Sequence, residues 1–202
     1  MAVGNIQFTK IEIKIAKYLF KHYRDRYNAR QLARILDINH AHANRLCNIL
    51  TDKKLLIKEE IGNSAFFSYG YDNELAIHFM EYVLSLEEKE FPKGLSVLSH
   101  SLKKFKNDIR MGLIFGSAIK TTDFNDIDVF LMYDAEKSKN IKKIKDEIRK
   151  SELVEKPIRY VDIAEKDILI NKDDKMFYNI LSESMVFHNP EKYVEVVEKC
   201  RK

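Results

Sequence analysis

Cysteine is almost missing from this chain: Cys47 and Cys200 are the only two among 202 residues. Two such distant thiols exclude a disulfide framework, and neither belongs to a closely spaced metal-ligand set, so a reducing, cytoplasmic setting is expected. Long apolar runs are missing too. No stretch reaches the roughly 18 apolar residues that a membrane helix needs, and the N-terminus lacks a charged start followed by an apolar stretch and a cleavage site. Neither membrane contact nor processing is expected. Glycine is sparse, at six residues, and no three-glycine dinucleotide fingerprint or Gly-Lys-Ser/Thr phosphate loop can be assembled from it. Repeats and low-complexity segments are absent from the sequence.

What is present is a chain with 45% hydrophobic residues, long enough to bury a substantial core as one large domain or two small ones. Charge favours two. Residues 1 to 70 hold 12 Lys+Arg against 6 Asp+Glu, a net of +6, whereas residues 71 to 202 hold 23 against 25, a net of −2. A basic N-terminal unit implies a polyanionic partner, with nucleic acid foremost. The expected division is 1–72, a connecting helix over 73–90, and 91–202.

In the first segment, Thr9 and Glu12 have capping-box spacing, and Ile11, Ile15, Ala16, Leu19 and Phe20 can face a core, which predicts a helix to about Tyr23. Asn28 can cap a second, short helix ending at Asp37-Ile38-Asn39. A third follows directly, with Ala43, Leu46 and Leu50 inward and His42, Asn44, Arg45 and Asn48 outward. Leu55 to Ile61, the turn Gly62-Asn63-Ser64, and Ala65 to Tyr69 read as a β-hairpin. Three helices and a terminal hairpin resemble the winged helix-turn-helix over residues 8 to 71. The resemblance implies that the third helix enters the DNA major groove, where Arg45 and Asn44 read bases, while Arg30, Lys53 and Lys54 contact phosphates. Winged helices also dock proteins or dimerise, and that alternative stays open.

The connecting stretch predicts one long amphipathic helix with Leu75, Phe79, Tyr82, Val83 and Leu86 on one side, docking the two domains or pairing with its copy in a homodimer. Pro92 marks its end. The lysine-dense run from Lys137 to Lys150 reads as the wet face of a helix, with Ile141, Ile144 and Ile148 inside.

Residues 111 to 133 carry the chemistry. An apolar strand runs into Gly116-Ser117, and a second strand opens with Asp126 and Asp128, whose side chains share a face because strand residues alternate. Neighbouring carboxylates repel unless a cation neutralises them, and hard oxygen ligands suit Mg²⁺. Glycine at the bend lets backbone approach a phosphate, a helix starting there would aim free N–H groups at it, and Ser117 adds a hydroxyl.

The order strand, Gly-Ser, spacer, Asp-x-Asp resembles the nucleotidyltransferase superfamily typified by DNA polymerase β and kanamycin nucleotidyltransferase, especially its minimal prokaryotic members, over residues 91 to 202. It implies an α+β or α/β fold with a mixed sheet flanked by helices. It also implies a third acidic residue on an adjacent strand, for which Asp162 in the run Pro157 to Ile163 is the candidate; a cap for the helix near Glu165 is its other reading. Residues 176 to 193 resemble the family's closing helix, short strand and final helix. By this resemblance Asp126, Asp128 and Asp162 would be catalytic and hold Mg²⁺, while Gly116, Ser117 and Lys120 would bind the phosphates of a nucleoside triphosphate, ATP foremost. The acceptor would be a hydroxyl, on a protein or a toxin partner. One departure is visible: eight residues, 118 to 125, separate Ser117 from Asp126, where minimal members carry about ten and an arginine soon after the serine. The alternative function is a DNA-binding regulator whose second domain senses a nucleotide or is an inactive scaffold.

Overall fold

A computed structural model describes residues 7–151 and 156–202, the side chains of residues 93, 96 and 97 excepted. The chain is α+β and forms two units, Met1–Val83 and Leu84–Lys202.

In the first unit, helix α1 (Lys10–Lys21) starts at the expected capping box: the Thr9 hydroxyl accepts from the Glu12 amide, and the Glu12 carboxylate accepts from the Thr9 amide at 2.7 Å. Ile15, Ala16, Leu19 and Phe20 are fully or almost fully buried. A two-residue strand β1 (Tyr27–Asn28) leads into α2 (Ala29–Leu36), capped by Asn28 as expected, and α2 ends on Asp37 in the left-handed region. Asn39 then caps α3 (His40–Asp52). Ala43, Leu46 and Leu50 are buried along its inner face, joined by Cys47, whose thiol is pushed up to about 12 by burial. Strands β2 (Leu56–Ile61) and β3 (Ser64–Tyr69) form the hairpin, with Gly62 at φ 60° in its turn. The sheet order is β1-β3-β2, so the short β1, which periodicity could not reveal, pairs with the hairpin.

Helix α4 (Glu74–Ser85) is shorter than the expected single helix, which instead breaks into a 3-10 turn at Glu87–Glu90. Its phase differs as well. Val83 is buried, but so are Ala76 and Met80, which were not expected on that side, whereas Leu75 and Tyr82 are 51% and 65% exposed. The Tyr69 hydroxyl donates to the Ala76 carbonyl.

The second unit contains α5 (Ser96–Leu102), β4 (Met111–Phe115), β5 (Ile127–Tyr133), α6 (Ser138–Lys150), β6 (Ile158–Ala164), α7 (Lys175–Ser182), β7 (Ser184–His188) and α8 (Pro190–Arg201). The closing helix, strand and helix occur as expected. Sheet order is β6-β5-β4-β7, with β5 and β6 parallel and the other pairs antiparallel. One core cluster gathers Leu98, Leu102 and Phe105 with Ile114, Val129 and Leu131 of the sheet and Ile141 and Ile148 of α6. Buried Glu87 accepts from the Val186 amide at 2.8 Å, satisfying a donor on edge strand β7. None of the described helices is long and apolar enough to cross a membrane.

Candidate nucleic-acid interface and carboxylate site

The outer face of α3 is where the first unit can meet a ligand. Asn44 and Arg45 are exposed, and His42 and Asn48 are half-buried. The Arg45 guanidinium lies 3.1 Å from His42 Nδ1, and the Asn48 amide donates to the Asn44 carbonyl at 2.9 Å, so Asn44 is the side chain left pointing outward without such a tie. A cleft of about 290 Å³ joins this face to the N-terminus of α2 and the hairpin tip, lined by Arg30, His40 and Asn44 on one side and Asn63 and Ser64 on the other. His40 and Asn63 were missed as contact candidates. Their signal was the hairpin turn falling opposite a helix start, which only the folded sheet shows. The acids of the hairpin are neutralised locally, Glu59 by Arg26 and Glu60 by Lys58.

Of the three residues expected to contact phosphate, Arg30 and Lys54 are exposed. Lys53 is not available for that role. Its ammonium donates to Glu12 at 2.7 Å and to the Gln7 carbonyl at 2.9 Å, and lies 4.4 Å from the centre of the Phe8 ring. The physical reason is Glu12, which is only 3% exposed and needs a buried counter-charge. Burial raises the Glu12 carboxyl, but hydrogen bonds from Lys53 and Thr9 outweigh it and leave the group below the ordinary range.

In the second unit, Asp126 and Asp128 do share a face at the head of β5. Asp126 precedes the strand, and Asp128 pairs with Phe115 of β4 and with Arg159 of β6. Gly116 follows Phe115 at φ 81°, and a Cβ built on it would lie 2.3 Å from Asp128 Oδ2. The Asp128 carboxylate therefore takes the space a side chain at residue 116 would need. Burial first, and the neighbouring Asp126 charge second, raise the Asp128 carboxyl above its ordinary value against the opposing pull of Arg159.

Asp162 is not part of this cluster. It pairs in register with Leu131, which puts it on the opposite face of the sheet from Asp128 and Phe130. There it accepts from the Tyr133 hydroxyl at 3.1 Å and from Lys145 Nζ at 2.7 Å. The place beside Asp126 and Asp128 belongs instead to Arg159, whose guanidinium donates to Asp126 at 2.7 Å. Arg159 was missed because alternation within β6 is legible whereas its phase against β5 is not.

Two expected phosphate contacts also differ. Ser117 begins a three-residue 3-10 turn, Ser117–Ile119, rather than a helix, so no stack of free helical amides faces the bend. Lys120 pairs with Glu183 at 3.2 Å. Among the described residues, no three His, Cys, Asp or Glu side chains lie close enough to hold a metal ion. The donor set, two carboxylates with a guanidinium between them and solvent, does not fit the expected three-carboxylate magnesium centre.

Two solved structures of mutant ZitR from Lactococcus lactis are similar to parts of the chain. One is 17% identical, covers 53% of this chain and 68% of that one, and has a TM-score of 0.36. The other is 19% identical, covers 51% and 76%, and has a TM-score of 0.32. No family model matches the chain, and no curated protein matches it.

Proposed function

We propose that this protein binds DNA through a winged helix-turn-helix formed by its first unit, as a regulator whose nucleotidyltransferase-like second unit does not use a metal-bound carboxylate triad. The supporting observation is the cleft in which Arg30, His40 and Asn44 face the hairpin tip, with Arg45 exposed on the same helix. Helix α3 then supplies base contacts from Asn44 and Arg45, and Arg30 and Lys54 supply phosphate contacts. The pairing of Arg159 with Asp126 supports the second half of the reading, because a resident cation already occupies one of the two carboxylates.

The test is selection of bound sequences from a random double-stranded DNA library, followed by anisotropy titrations of the selected site. A preferred sequence whose preference relaxes at one position in Arg45→Ala supports the proposal; equal, salt-quenched binding to every duplex removes the regulator.

A second reading, nucleotidyl transfer from a nucleoside triphosphate to a hydroxyl acceptor, keeps one observation in its favour, the shared face of Asp126 and Asp128 beside Gly116. Label transfer from each triphosphate to a lysate component, lost in Asp126→Asn/Asp128→Asn, would establish it.

A further inference from the structure

On the other face of the second unit's sheet, a cavity of about 350 Å³ opens between α6 and the start of β6. Its apolar wall consists of Ile148, Pro157, Ile158 and the Tyr160 ring. Its cationic rim carries Lys142, Arg149 and Lys156, with Asp146 as the one acid among the described residues of the lining.

The charges are not equally committed. Lys145, deeper in the lining, is spent on Asp162 and sits 4.6 Å from the centre of the Tyr160 ring. Arg149 pairs with Asp146 through an exposed contact one helical turn away. Lys142 and Lys156 are exposed and form no ion pair among the described residues. A flat apolar wall below two exposed ammonium groups and a guanidinium suits a molecule with a ring at one end and a multiply charged anion at the other. The volume matches a small ligand of nucleotide size.

We propose that this cavity binds a nucleoside monophosphate, its ring against Tyr160, Ile148 and Ile158 and its phosphate among Lys142, Lys156 and Arg149. The site is separate from the carboxylates. Ile158 and Tyr160 alternate with Arg159 along β6, so the cavity and the Asp126–Arg159 pair occupy opposite faces. The Tyr160 hydroxyl is buried and has no hydrogen-bond partner among the described residues, and the ring is the part of this side chain assigned to the ligand.

Calorimetric titration of the full chain with adenosine monophosphate, adenosine and inorganic phosphate, each without added metal, tests this directly. The expected result is saturable binding of the monophosphate that exceeds binding of both fragments. A Lys142→Glu/Lys156→Glu variant should weaken it by about tenfold or more, while Asp126→Asn/Asp128→Asn should leave it unchanged. Both lysines are exposed, so the charge-reversed chain is expected to fold, which circular dichroism verifies. No saturable heat with the monophosphate would overturn the proposal, as would equal binding of inorganic phosphate or loss of binding only in the double aspartate variant.

Discussion

A carboxylate can hold the fold together or work against it, and Glu12 and Asp128 divide along that line. Glu12 is held below the ordinary range, so its ionised form belongs to the fold. Its contribution is complete at neutral pH and is lost as pH falls through the folded value. Removing the partner by Lys53→Ala should cost about 2 kcal/mol at pH 7 and progressively less in acid, read from urea midpoints. Asp128 has the opposite sign. Its folded state holds the proton more tightly, so stability is lost as pH rises from the ordinary aspartate range through the raised value. Asp128→Asn should therefore raise the midpoint at pH 7 and leave it nearly unchanged at pH 3. Gly116→Ala should be destabilising at any pH, because the residue combines φ 81° with a Cβ position 2.3 Å from the Asp128 carboxylate. Arg159→Ala should cost no more than about 1 kcal/mol, since an exposed guanidinium is well solvated. Its diagnostic effect is different: the variant's melting temperature should rise with added MgCl₂ at constant ionic strength while that of the parent does not. An equal rise in both would show that a divalent ion competes successfully with Arg159.

Elements differ in how openly the sequence declares them. The Thr9 capping box, the Asn28 cap and the inner stripe of α3 follow from spacing of three and four residues, and all three stand in the fold. The Gly62 turn is equally local, since its positive φ suits glycine between two strand-forming runs. Legibility stops where an element's phase depends on a neighbour far away in sequence. In α4, Leu75 and Tyr82 are apolar enough to be core residues, yet Ala76 and Met80 face inward, on a helix whose Ala76 carbonyl accepts from the Tyr69 hydroxyl. In β6, alternation groups Ile158, Tyr160 and Asp162 correctly, but only pairing with β5 decides which face they take. Lys145 illustrates the consequence, because it waits on α6 for Asp162 and would have had no acidic partner there had Arg159's face been turned toward it. The carboxylate pair was therefore readable from Asp-x-Asp alone. The third member of the site was not. Gly112 carries an element-scale prediction of its own: a Cβ there would lie 2.2 Å from the Phe187 ring at the register shift between β4 and β7. Gly112→Ala should lower the melting temperature, and a compensating Phe187→Leu should restore part of the loss by removing the ring.

At the scale of the whole molecule, charge and fold divide the chain at slightly different places. The seventy-residue segment is +6, but the folded unit ends at Val83 and also contains Asp72, Glu74 and Glu81, which brings it to +3. The attraction to a polyanion therefore depends on where the cations stand more than on how many there are. Arg30 lines the cleft and Arg45 is exposed on α3, whereas Lys53 is consumed by Glu12 inside the unit. The salt dependence of DNA binding separates these roles, because each phosphate contact removed lowers the slope of log affinity against log salt by about one. Arg30→Ala and Lys54→Ala should each reduce the slope by about that amount and weaken all duplexes alike. Arg45→Ala should keep most of the slope and cost about 1–3 kcal/mol at a single base pair. Lys53→Ala should leave the slope of the folded protein unchanged while lowering its melting temperature. If Lys53→Ala instead reduced the slope as Arg30→Ala does, the lysine would have to leave Glu12 on binding, and the buried pair would be a part of the DNA interface rather than of the core.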